Sequence, residues 1–96
     1  MCMKNNSEQY KKEIIEVLFK ISKDKQLLGD FIKEILTPRE FDNIGVRWQI
    51  IRRLEKGEHH QAIAEALHLG VATVTRGSRE MRKKDGGFRR ALKIVK

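Results

Sequence analysis

Ala72, Thr73, Thr75, Arg76, Ser78 and Arg79 stand within eight residues: small, hydroxyl-bearing and cationic groups with no carboxylate among them. Hydroxyls and guanidinium forks on one short segment suit phosphates and base edges. Val71, Val74 and Met81 mark an apolar side of the same segment at helical spacing. Upstream, Ile63, Ala64 and Leu67 mark one face of another short helix, and His68-Leu69-Gly70 breaks the two apart. Two short helices meeting at a tight break predict a helix-turn-helix over about residues 60–83, whose second helix enters the DNA major groove. Gly70 starts that helix, where the lack of a side chain lets backbone approach a phosphate.

Other chemistries find little support. His60 and His68 are eight residues apart, about 12 Å along a helix, too far to share an ion. No nucleophile–base pair, paired acids or phosphate loop is present, so no enzyme, metal or cofactor is expected. Trp48 falls at a core position.

The net charge of +8 is unevenly placed. Residues 1–75 hold 12 basic and 11 acidic side chains, whereas residues 76–96 hold 9 basic and 2 acidic. A basic stripe beside a helix-turn-helix is an electrostatic footprint for phosphates. On charge alone, a solvated cationic tail that meets any polyanion fits as well. A lone cysteine, Cys2, fits a reducing cytoplasm. No apolar run approaches a membrane span and no secretory signal opens the chain.

Ninety-six residues rich in helix formers, with a single proline, predict one all-α domain over residues 1–96. Residues 1–6 read as a frayed polar start. Ser7 caps a first helix to about Ser22, and a second, after Lys23-Asp24-Lys25, runs to about Ile35. Its stripe of Leu27, Leu28, Phe31, Ile32, Ile35 and Leu36 is broad for so short a helix. A subunit interface and a central core position explain it equally well. Thr37-Pro38-Arg39-Glu40 is the clearest local signal: N-cap, proline at the first helical position, and a carboxylate to complete a capping box. The third helix runs to about Lys56 and stops at Gly57, with Phe41, Ile44, Trp48, Ile51 and Leu54 on its buried face. Gly45 within it implies a close neighbour. The fourth helix, His60 to Leu67, has His59-His60 where a capping residue belongs. The fifth runs from Val71 to about Lys83. A turn at Asp85-Gly86-Gly87 precedes a short basic amphipathic helix carrying Phe88, Leu92 and Val95.

LTPREFDNIGVRWQIIRRLEKGE (Leu36–Glu58) and LGVATVTRGS (Leu69–Ser78) together resemble the tryptophan repressor family of bacterial transcription regulators. The resemblance covers about residues 27–92. It implies six helices per chain in an intertwined homodimer, binding a palindromic double-stranded DNA operator with two recognition helices in successive major grooves, roughly 34 Å apart. It also implies L-tryptophan as corepressor and genes of tryptophan synthesis or uptake as targets. Carried over by position, Arg47 and Arg76 sandwich the indole, and Arg76 pairs with the ligand carboxylate. Thr73 helps hold that carboxylate and Gly77 leaves room for the ring. Carbonyls near Glu34 and Leu36, with Thr37, come from the second protomer and meet the ligand's amino group. For DNA, Val71, Ala72 and Thr75 lie nearest the base edges, while Gln61, Thr73, Arg79, Lys83 and Lys84 are placed for phosphates.

Three departures stand out. One residue is missing between Gly57 and Ile63, together with the family's capping Ser or Thr. His68 replaces a turn glycine, in a conformation histidine tolerates at a cost. Glu80 replaces a small polar residue beside the ligand amine, where it pairs with that ammonium or with Lys84 one turn on. Two further readings stay open: a regulator of this fold that is constitutive or answers to a different small ligand, and a helical adaptor whose basic tail docks on acidic surfaces.

Overall fold

The computed structural model describes residues 6–95. Six helices follow one another: α1 (Asn6–Ile21), α2 (Lys25–Ile35), α3 (Pro38–Glu55), α4 (His60–Leu67), α5 (Val71–Met81) and α6 (Gly87–Ile94). No strand occurs among the described residues, and the chain is the six-helix all-α fold its sequence predicts. By its contacts the chain divides into two compact units, Met1–Phe41 and Asp42–Lys96, the division falling inside α3.

In the first unit α1 packs on α2. Ser7 lies inside α1 rather than capping it, and Asn6 opens the helix; the rest of the expected frayed start lies outside the described residues. Asp24 is the cap of α2, its Oδ1 accepting from the Leu27 amide at 3.1 Å. The polar break is therefore a helix start. Neither helix contains a buried residue. Ile15 and Phe19 are 66% and 78% exposed, and Leu27 and Ile35 of the broad stripe 45% and 51%.

The start of α3 is held as its sequence predicts. The Thr37 amide donates to Glu40 Oε1 at 2.8 Å and the Glu40 amide to Thr37 Oγ1 at 3.2 Å, so two free helix-end amides are satisfied reciprocally. Gly57 ends the helix region with φ +88°, a left-handed conformation that glycine adopts without strain.

The second unit has a core in two clusters. Ile50, Ile63, Ala64 and Val74 form one, joining α3, α4 and α5. Ile51, Met81 and Leu92 form the other, joining α3, α5 and α6. Each isoleucine fully removed from water stabilises the fold by roughly 1.5–3 kcal/mol. The buried face of α3 is only partly the one its sequence suggests: Ile51 is buried, with Trp48 and Leu54 packed against the core, but Phe41 and Ile44 are 39% and 49% exposed, and Ile50 is buried as well. An α-helix turns about 100° per residue, so Val46, Ile50 and Leu54 share one face and Phe41, Ile44 and Trp48 another. The first meets α4 and α5; on the second, Trp48 packs with Phe88, ring centroids 6.5 Å apart. Within this chain a Cβ on Gly45 would meet nothing within 4 Å.

Candidate ligand and nucleic-acid site

The turn between α4 and α5 is built by backbone geometry. His68 takes φ 57° and ψ 50°, the left-handed conformation its position calls for. Its amide bonds back to α4, and the Leu69 amide donates to the Ala64 carbonyl at 2.8 Å. Two of the carbonyls at the end of α4, those of Ala64 and Glu65, are thereby satisfied. Gly70 is the N-cap of α5, extended at φ −75°, with no side-chain cap and nothing within 4 Å of a Cβ placed there. The start of the recognition helix is therefore open to whatever approaches it. His59 likewise gives α4 no side-chain cap.

Val74 and Met81 bury the inner side of α5, while Val71, which the spacing also puts inside, is 41% exposed. Val71, Ala72, Thr73 and Arg79 are exposed on α5, as is Gln61 on α4, and Thr75 is half-buried. Of the residues expected at DNA, Lys83 falls outside α5, which ends earlier than the sequence suggests, and Lys84 follows it. The helix ends at Met81, so both lie in the connection to α6. The carbonyl left free at that end is met by Arg89, whose Nε donates to the Met81 oxygen from α6.

On another side of α5 a cleft of about 450 Å³ opens between α3, α5 and α6. Arg47, Thr73, Arg76, Gly77 and Glu80 line it, together with Ile50, Ile51 and Phe88. That volume is within the range of small-molecule sites. Five of the eight residues expected at a ligand thus converge. Glu34, Leu36 and Thr37 belong to the first unit: Glu34 is exposed in the last turn of α2, Leu36 caps that helix, and Thr37 is engaged in the cap of α3. Phe88 is a lining residue that sequence reasoning placed only in a helix. Its contact with Trp48 spans 40 residues, and no local pattern reveals it.

Gly77 has a second task besides lining the cleft. A Cβ there would stand 3.1 Å from Ile50 Cγ2 and 3.6 Å from Ile51 Cδ1, so glycine is what lets α5 lie close on α3. Glu80 pairs with Lys83 at 2.7 Å, not with Lys84. The chain tightens after Met81, the Lys83 amide donating to the Glu80 carbonyl, and this brings the i+3 residue within reach. The bond to Lys83 and its charge hold the Glu80 carboxyl below its ordinary range, with smaller help from Arg76 and Arg79. The cleft therefore carries an ionised carboxylate near two guanidinium groups. Among the described residues no group of His, Cys, Asp or Glu is arranged to hold a metal.

A row of exposed groups on a helix with an open start, paired with a short helix across a tight turn, is the arrangement of a DNA-reading head. The model of one protein family, described as Trp repressor protein, matches residues 8–96. The chain belongs to the Trp repressor family. Relatives named Trp operon repressor homolog agree over most of its length. One from Vibrio campbellii is 34% identical over 94 residues, covering 95% of this chain and 93% of its own. Another from Vibrio parahaemolyticus is 34% identical over 86% of this chain and 81% of its own, and one from Mannheimia succiniciproducens 37% identical over 81% and 76%. Trp repressors are DNA-binding transcription regulators with a helix-turn-helix, and α4 and α5 are that element here. No described helix is long and apolar enough to cross a membrane.

Proposed function

We propose that residues 1–96 act as one domain of a dimeric, cytoplasmic repressor that binds a palindromic operator when L-tryptophan fills the cleft, and so controls tryptophan synthesis or uptake genes. The convergence of Arg47, Thr73, Arg76, Gly77 and Glu80 on one cleft carries this reading. A planar zwitterion needs a flat cationic face, a fork donor for its carboxylate and an anion or carbonyls for its ammonium. Arg47 and Arg76 supply the cationic faces, Arg76 and Thr73 the donors, and Glu80 an ionised acceptor. Glu34, Leu36 and Thr37 of the second protomer complete the ammonium's surroundings. The uncovered apolar residues of α1 and α2 support a dimer.

Coupling follows from α5 itself. Thr73, Arg76, Gly77 and Glu80 face the cleft, while Val71, Ala72, Thr75 and Arg79 offer groups to DNA. A ligand that packs better against one setting of α5 shifts the reading head by its difference in affinity for the two settings. Gln61, Thr73, Arg79, Lys83 and Lys84 hold phosphates, and Val71, Ala72 and Thr75 meet base edges. Operator affinity measured with and without L-tryptophan at fixed salt tests the claim; equal affinity in both would sink it.

One observation favours a second reading. Glu80 is already paired with Lys83, which leaves less of its charge for an ammonium. A regulator that is constitutive, or answers to an acid without an amino group, matches that pairing. Operator binding that rises with indole-3-propionate and not with L-tryptophan would establish it.

A further inference from the structure

The packing of α4 on α5 is apolar, built on Ile63, Ala64 and Val74, with Leu67 and Leu69 against them. Among the described residues one side-chain hydrogen bond joins the two helices: His60 Nδ1 and Thr75 Oγ1 lie 3.3 Å apart. His60 is the first residue of α4, a helix whose start has no side-chain cap. Thr75 is a turn into α5, half-buried at the edge of the exposed row. His60, with Ser78 and Arg82, lines a cleft of about 480 Å³ that is separate from the ligand cleft.

We infer that His60 is a positioning residue for DNA reading: it fixes the side chain of Thr75 and so sets base selectivity at the position Thr75 faces. The inference rests on the proposed contact of Thr75 with base edges. A threonine in a helix divides between two rotamers, because its hydroxyl can also bond the carbonyl a turn back. Moving between those rotamers carries the methyl and the hydroxyl together to new positions around Cβ. Bonding to His60 selects the rotamer with Oγ1 toward α4. The hydroxyl is then partly used, as donor or acceptor according to the imidazole tautomer, and the methyl keeps one fixed place. A fixed methyl discriminates for the C5 methyl of thymine; a free hydroxyl bonds either kind of base edge. The same bond ties the first turn of α4, which has no side-chain cap, to the reading helix.

The test begins with the palindrome the wild-type protein selects from a random duplex library, followed by affinities for every single-base variant. His60→Ala is expected to lose about five- to tenfold discrimination at one base pair per half-site, the scale of one base contact. Its affinity for nonspecific duplex at the same salt stays unchanged. Thr75→Val keeps a methyl without needing the bond, so adding His60→Ala to it changes selectivity little. His60→Asn, which keeps a hydrogen-bonding side chain, restores part of the discrimination, and His60→Phe does not. A folded His60→Ala with a wild-type selectivity profile overturns the inference and leaves the DNA reading intact. So does a uniform loss across all sequences, which would mark a phosphate or packing role. If the wild type selects no palindrome, the DNA reading fails and the inference with it.

Discussion

Two regions of one chain solve opposite problems. Beyond Phe41, α3 to α6 bury Ile50, Ile51, Ile63 and Val74 almost completely. Before it, α1 and α2 bury nothing, and leave Tyr10, Ile15 and Phe19 more than 60% exposed. Helix-forming sequence alone does not hold a two-helix hairpin together in water. The second region holds both the reading helix and the cleft on a core of its own. The first carries apolar surface that awaits a cover, and a second copy of the chain is the cover the proposal assigns.

The largest break in this contrast is expected from Ile63→Ala. Ile63 is fully buried between α3, α4 and α5, so removing three carbons is expected to cost about 2–5 kcal/mol in chemical denaturation. Ile35→Glu tests the other region. A charge on the α2 stripe, 51% exposed in one chain, is expected to weaken self-association at least tenfold in sedimentation, an estimate based on the cost of burying an unpaired charge. Unchanged association would remove α2 from the interface.

Gly77→Ala is smaller and sharper. The new methyl meets Ile50 Cγ2 at 3.1 Å, and relieving that crowding is expected to cost about 1 kcal/mol. Because the same residue lines the cleft, ligand affinity falls with it, which calorimetry and denaturation separate. The smallest effect concerns Glu80. Its carboxyl is held below the ordinary value of 4.5 by Lys83, so it binds a proton less readily in the fold than in the unfolded chain. Its contribution to stability is present above that value and is lost as pH falls through the lower, folded value. An NMR titration of Glu80 moves up toward the ordinary range in Lys83→Met, with little change in overall stability because the pair is exposed.

The features legible in the sequence are those set within a few residues. The capping box at Thr37 and Glu40, the left-handed Gly57 and His68, and the uncapped start of α4 all follow from local backbone chemistry. The TRGS segment and Arg47 carry family information, and the cleft gathers both. Features set by distant partners were not legible. The periodicity of α3 marks one stripe, yet two of its faces are used, and the one that buries Ile50 is set by α4 and α5. The Met81 carbonyl is met by Arg89, eight residues on, and the Thr75 hydroxyl by His60, fifteen residues back. Periodicity registers neither. Asp24 is a different case: a residue of a capping type stands in plain view within the polar break, and it caps α2.

The central claim is that the cleft beside α5 binds L-tryptophan through Arg76. Titration calorimetry of the intact protein with L-tryptophan, repeated on Arg76→Ala, tests it most directly. Saturable binding is expected, one ligand per chain, weakened at least about thirtyfold in the variant, as befits a lost charge-assisted bond worth about 2 kcal/mol or more. No binding heat from the folded wild-type protein at any temperature, or equal affinity in the two, would contradict it.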